Sequence, residues 1–313
     1  MDGAAARYLD GGPDGRLHLQ HGPIDLIIGV DGLPGEAIPS GTRQRAFEAA
    51  RRRFATILDE LVAELAFLRN PAAPDGPDPQ GTVARRMTAA VRPLSGRRFI
   101  TPMAAVAGAV ADEIRDAMLA AFPPGECPPR IHVNNGGDIA LHLSPQATFH
   151  IAMSGEDGTR LGTFAMTGAE RERGIATSGR GGRSFSLGIA DSVTVVAASA
   201  AQADAAATLI ANAVDLPGHP AIIRCPASRI APDSDLGDRL VTRDCGSLTA
   251  EEIDRALDAG LAEADHLIAR GLIRRAALFL KNEGRIADRA AAFPPLPEPA
   301  FPAQPHRETI PHA

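Results

Sequence analysis

The chain is 313 residues long, 44% hydrophobic and 22% charged, with a formal net charge of −6. This is the balance of a globular protein, long enough to bury a sizeable core in one large domain or two small ones. The acidic pI near 5.9 disfavours a nucleic-acid surface, which needs a basic face, and no apolar run approaches the roughly 20 residues that cross a bilayer.

Cys127, Cys225 and Cys245 are odd in number and widely spaced, so they suit neither a disulfide framework nor a paired-cysteine metal site. Three reduced thiols in a cytoplasm are the expectation. The opening MDGAAARYLDGG is acidic and has no long apolar core, unlike a signal peptide. A cytoplasmic location without membrane attachment is expected.

Arg16 to His21 and Ile24 to Val30 are β-rich runs around Gly22-Pro23 and predict an opening hairpin. A long helix should then start near Ser40 or Thr42. Its apolar residues Phe47, Phe54, Ile57, Leu58, Leu61, Leu65 and Leu68 recur every three or four positions, and Asn70-Pro71 ends it. Pro71 to Gly81 reads as a loop within one domain, because the flanking segments are too small to stand alone. Short and longer helices follow over Val83 to Val91 and Met103 to Phe122; the first half of the second is almost entirely small residues around Gly108.

Strands are predicted at Ile131 to Asn134, Asp138 to Leu143, Thr148 to Met153, Thr163 to Met166 and Ser192 to Ala198. Glycine-containing connections favour an antiparallel, hairpin-rich sheet. A helix over Ala200 to Val214 comes next, and an irregular stretch runs from Pro217 to Thr249. There the spacing Thr249-Ala-Glu-Glu252 marks a capping box for a helix ended by Gly271. Ile273 to Leu280 reads as the closing strand. From Ala291 prolines are dense and periodicity is lost, so residues 291–313 are expected to form a disordered tail, with a proline-rich ligand for a partner domain as the minor alternative. Residues 1–290 then form a single α+β domain with a largely antiparallel sheet flanked by helices.

Three stretches carry chemistry. Asn134-Asn135-Gly136-Gly137-Asp138 suits a tight hairpin turn; its bare glycine backbone could also receive a flat ring or a phosphate, with Asp138 as acceptor. Thr177-Ser178-Gly179-Arg180-Gly181-Gly182-Arg183-Ser184 could nest an anion on backbone amides and clamp it between two guanidiniums; a solvated basic turn is the competing account. Asp204 and Thr208 are four apart on a helix and share a face, a hard-oxygen pair suited to Mg²⁺. Alternatively, Asp204 serves the helix dipole and Thr208 packing. Asp191 is a weaker extra candidate. His132, His142 and His150 lie on predicted strands, but no histidine spacing reads as a metal motif.

Taken in order, these pieces resemble the ApbE superfamily, the FAD:protein FMN transferases and their relatives. The resemblance rests on the small-residue helix Ala105 to Asp112, the Gly-Gly-Asp strand Asn135 to Ile139, Thr177 to Gly179, Ser192 to Val195, and Ala203 to Thr208. The run GRSFSLGIADSVTVVA is similar to the short, uncharacterised ApbE-like subfamily. The resemblance implies a T-fold-related α+β domain that binds FAD or FMN near Gly108, Asn135, Gly136, Gly137, Asp138, Thr177, Ser178, Gly179, Arg180 and Ser184. It implies Asp204 and Thr208 as Mg²⁺ ligands, with Asp204 and Arg183 as catalytic residues. The implied reaction is attack by a protein threonine hydroxyl on the FAD pyrophosphate, releasing AMP. Two differences stand out. Ala107 occupies the place of the transferases' helix lysine, and SLGIAD replaces their His-Ile-Ile-Asp-Pro segment. Three functions stay open: an ApbE-like, Mg²⁺-dependent enzyme acting on a flavin or related phosphorylated cofactor, with a protein acceptor as one option; a non-catalytic flavin- or anion-binding protein; and a cofactor-pathway enzyme with another anionic substrate. A homodimer is also left open.

Overall fold

The computed structural model describes residues 3–9, 12, 15–96, 98–154, 160–182 and 184–289. The first half of the chain contributes strands β1 (Ala5–Leu9), β2 (Arg16–His21) and β3 (Ile24–Asp31) and helices α1 (Thr42–Ala63), α2 (Leu65–Leu68), α3 (Thr82–Val91) and α4 (Val106–Leu119). Strands β4 (Arg130–Asn135), β5 (Asp138–Leu143), β6 (Thr148–Ser154), β7 (Arg160–Thr167), β8 (Gly174–Ser178) and β9 (Ser192–Ala197) follow. The chain then forms α5 (Ala200–Ala213), β10 (Ile222–Pro226), β11 (Leu240–Cys245), α6 (Ala250–Ala269), β12 (Arg275–Leu280) and β13 (Glu283–Asp288).

Among the described residues, nine strands make one antiparallel sheet in the order β1-β2-β3-β4-β5-β8-β9-β12-β13. This is the antiparallel α+β arrangement expected from the hairpin-rich pattern. One face carries the helices. Leu17, Leu19, Leu26, Ile28, Ile131 and Val133 from the strands meet Phe47, Phe54, Ile57, Ile114 and Met118 from α1 and α4 there. The other face is covered over β5, β8 and β9 by the β6–β7 hairpin, which closes a smaller core of Leu141, Leu143, Ile151, Met166, Ile175 and Val196. Strand β9 is therefore buried along its whole length, which explains why Ser192 to Ala197 reads as a near-continuous apolar run rather than an alternation.

Several elements differ from the sequence expectation. The long helix breaks at Glu64, between α1 and α2, because the Glu64 carboxylate accepts the N–H groups of Gln80 (2.7 Å) and Gly81 (2.9 Å) at the entry to α3. Pro102–Ala105 is a 3-10 turn, and α4 proper begins at Val106. The stretch expected to be irregular holds the β10–β11 hairpin. Strand β12 does not close the sheet, since β13 pairs along its other edge. Thr177 and Ser178 belong to strand β8 rather than to a loop. The capping box at Thr249 and Glu252 forms as expected, with both reciprocal bonds in place. The stretch 291–313 lies outside the described residues.

Candidate cofactor and metal site

One rim of the sheet brings together Asn135, Gly136, Gly137, Asp138 and Thr177, and strand register explains how. Strands β4 and β5 are joined at Gly136 and Gly137, with Asn135 opposite Asp138. Both glycines have positive φ, 66° and 114°, which a two-residue hairpin turn demands. The Asn134 side chain accepts the Gly137 N–H at 2.8 Å. Ile139 pairs with Ile175, so β8 brings Thr177 beside the turn; a Cβ on Gly137 would stand 4.0 Å from the Thr177 Cβ. The Thr177 N–H donates to Asp138 Oδ1 at 3.3 Å, and its hydroxyl bonds that of Thr194 at 3.0 Å.

Behind this rim the N-termini of α4 and α5 meet face to face. A Cβ on Gly108 would lie 2.2 Å from the Ala200 carbonyl oxygen, so only glycine permits the approach. Each helix then caps the other. Asp112 of α4 accepts the N–H groups of Ala200 (3.2 Å) and Ala201 (3.0 Å) in the first turn of α5. Asp204 of α5 accepts the Gly108 N–H in the first turn of α4 at 3.0 Å, with the Ala107 N–H adding to it. The first-turn amides of a helix lack intrahelical partners and favour an anion, so both carboxylates lie where backbone dipoles attract them. Asn135 completes the junction by donating its side-chain N–H to the Ala107 carbonyl at 3.1 Å.

The two acids differ in electrostatics. Asp112 is buried and ion-paired with Arg115 at 3.0 Å. Burial raises its pKa, while Arg115 and the two α5 amides pull it back. Asp204 is half-buried. Loss of solvent drives its pKa well above the ordinary carboxylate value, the charge of nearby Asp138 drives it further, and only the α4 amides oppose. Thr208 is half-buried one turn along the same face of α5. An under-compensated carboxylate, a second acid and a hydroxyl are hard-oxygen donors of the kind that suit Mg²⁺. Among the described residues there is no group of three or more His, Cys, Asp or Glu side chains placed to hold a metal.

The glycine–arginine segment divides. Ser178 is half-buried and Ser184 exposed. Gly179 passes so close to the next strand that a Cβ would lie 2.3 Å from the Asp191 carbonyl oxygen. Arg180 turns toward Asp191, which it holds through Nε at 2.8 Å and Nη2 at 2.6 Å. Arg183 lies outside the described residues. His132 is packed against Phe149, with ring centroids 5.4 Å apart, and burial lowers its pKa; His142 is likewise lowered by burial.

The structure adds two residues that sequence reasoning did not single out. Asp112 is the acid of an otherwise small-residue helix face, a signal present in the sequence but silent without its partner amides. Lys281 follows β12, and its N–H donates to Asp191 Oδ2 at 2.5 Å. It is the only lysine in the sequence.

Comparison with known proteins places the chain. A UPF0280 protein of Methanopyrus kandleri is 38% identical over 133 residues, covering 42% of this chain and 48% of the relative. One of Methanothermobacter thermautotrophicus is 34% identical over 191 residues, covering 59% and 64%. The chain thus spans about half to two thirds of the length of the curated relatives it matches. Among solved structures, the apo flavinyl transferase ApbE of Pseudomonas stutzeri aligns over 91% of this chain and 93% of its own, with 12% identity and a TM-score of 0.39. The flavin transferase ApbE of Vibrio cholerae aligns over 91% and 97%, with 13% identity and a TM-score of 0.35. Among the described residues no helix is long and apolar enough to cross a membrane. The family model for AbpE bacteria matches residues 6–287, and the chain belongs to that family.

Proposed function

We propose that the protein binds a flavin nucleotide, or a closely similar phosphorylated cofactor, along the rim formed by the β4–β5 turn, the end of β8 and the first turns of α4 and α5. The observation that carries this reading is the state of Asp204. A carboxylate set against a second acid and left without an arginine is a poor structural element and a good cation site. Family membership and the ordered motifs resembling the ApbE superfamily support a flavin as the organic part.

In this reading Asp204 and Thr208 hold Mg²⁺, with Asp138 as a neighbouring acceptor. When bound, the metal would neutralise charge on a phosphate oxygen. The chain's own residues supply the rest. Gly136 and Gly137 let the ligand lie on bare backbone, while Thr177 and Ser178 offer hydroxyls. Arg180 brings positive charge to the anionic groups, and Arg183 is assigned the same role on its place in the sequence alone; such charge stabilises what develops during phosphoryl chemistry.

Two readings of the chemistry compete at this one site. Asp204 favours metal-assisted transfer of FMN from FAD to a protein hydroxyl, with release of AMP. Ala107 favours a carrier that binds without turnover, because it stands where the transferases have a lysine. Incubating the purified protein with FAD, with and without Mg²⁺, and assaying AMP and FMN separates them. Metal-dependent release lost in Asp204→Ala supports transfer. Flavin binding without release supports the carrier, and an absence of both binding and release overturns the flavin proposal.

A further inference from the structure

Lys281 stands out once the rim is traced past Arg180. Ser178 pairs with Val193, and Ser192 with Phe279, so the ends of β8 and β12 finish at the same edge of the sheet. Lys281 and Asn282 make the β12–β13 turn with φ of 50° and 68°, left-handed backbone that long side chains uncommonly adopt. Asp191 fixes this turn. Its Oδ2 takes the Lys281 N–H, its Oδ1 takes the Arg180 guanidinium, and its own N–H donates to the Phe279 carbonyl at 3.0 Å. The carboxylate that could have neutralised the lysine is therefore occupied by the arginine and by backbone.

The Lys281 ammonium instead donates to the Cys245 carbonyl oxygen at 2.7 Å. A carbonyl orients an ammonium but does not neutralise it, and an ammonium has three donors to place. Among the described residues no carboxylate forms an ion pair with it, in a sequence with 38 acids. The ammonium, half-buried and held by a carbonyl, thus has donors left to direct at an incoming anion. Both Lys281 and Arg180 lie close enough to act electrostatically on the Cys245 thiol, so the two cations share one neighbourhood. The rim is thus polarised, acidic at Asp138 and Asp204 and basic at Arg180 and Lys281.

We propose that Lys281 and Arg180, coupled through Asp191, form a phosphate subsite that takes the diphosphate portion of the ligand. The assignment rests on the cofactor reading above for the identity of the whole ligand, and on Lys281 alone for the anion. Because the sequence holds a single lysine, its reactivity can be read directly. The protein is acetylated with an N-hydroxysuccinimide ester, and the rate at Lys281 is followed by peptide-resolved mass spectrometry, with FAD or inorganic pyrophosphate as protectant. FAD binding is monitored in parallel through its own fluorescence.

Both probes should slow acetylation of Lys281, and Lys281→Met should weaken pyrophosphate binding by roughly tenfold or more, the loss of one charge-assisted bond. Lys281→Arg should restore most of that binding. Thermal melts of both variants verify that the fold is kept. FAD binding that leaves the Lys281 rate unchanged overturns the subsite while the flavin reading stands. Protection by pyrophosphate without FAD binding supports the subsite and overturns the flavin reading. Failure of both probes to bind or protect overturns both.

Discussion

The N-termini of α4 and α5 are built alike and behave differently. Each receives a carboxylate from the other helix: Asp112 on the Ala200 and Ala201 amides, Asp204 on the Gly108 amide. Asp112 is sealed and answered by Arg115, whereas Asp204 is half-open and faces Asp138. The same local motif therefore serves as a clasp on one side and as an unbalanced charge on the other. What surrounds the carboxylate, rather than the capping bond itself, separates a structural acid from a candidate ligand.

The clasp should give the largest effect. Asp112→Ala leaves the buried Ala200 and Ala201 amides without their acceptor, while the Arg115 guanidinium keeps only Asp116. Leaving two buried amides unsatisfied costs about 2–5 kcal/mol together, measurable as a lower denaturant midpoint. Asp204→Ala should cost clearly less, because removing it also removes the repulsion with Asp138. Equal losses for the two variants would break the contrast. Gly108→Ala comes next. Its methyl would collide with the Ala200 carbonyl, backbone that cannot rotate away, and overpacking of this sort costs about 1–3 kcal/mol. The helix ends would be forced apart, so Mg²⁺ or flavin binding should fall together with stability.

Gly137→Ala sharpens the comparison from the strand side. Its φ of 114° is strained for any residue with a Cβ, at a cost of about 1–3 kcal/mol. The added methyl meets only the Thr177 Cβ at ordinary contact distance. A ligand lying on this turn would lose affinity by more than the stability change explains; unchanged affinity would remove the turn from the site.

These contrasts also show what the sequence could disclose. The Asn-Asn-Gly-Gly-Asp turn was legible because its chemistry is local: two positive φ angles require glycine, and both occur. Strand β9 and helix α5 were legible for a similar reason, an apolar run bounded by Ser199, which caps α5 by accepting the Gln202 N–H. Strand β8 was not, because Gly-Ile-Ala-Thr-Ser is short and its strand character comes from β5 and β9 on either side. The break at Glu64 was hidden by an apolar stripe that continues across it, since its cause lies 16 residues away at Gln80. At the site, Asp204 and Gly108 each stand out by residue type, yet the bond between them joins residues 96 positions apart and no local pattern encodes it. The composition around Arg180 suggests an anion clamp, and its engagement with Asp191 emerges only when β8 and β9 are laid side by side.

The smallest effect on stability should come from Asp204→Asn, and it carries the sharpest test. An amide oxygen can still accept the Gly108 N–H while the charge disappears. In the wild type the folded pKa of Asp204 lies well above 3.8, so between those two values the folded state holds a proton that the unfolded chain has released. Stability contributed by this group therefore falls as pH rises through that window and stays reduced above it. The amide has no such dependence. Without divalent metal, Asp204→Asn should match the wild type near pH 4 and melt at an equal or higher temperature at pH 7 to 8. Added Mg²⁺ should reverse the order by stabilising only the wild type in proportion to its occupancy, and more strongly as pH rises, because the metal competes with the proton for the same carboxylate. A wild type that melts identically with and without Mg²⁺ across this range would mean that Asp204 is a second clasp, and that the two helix ends are equivalent after all.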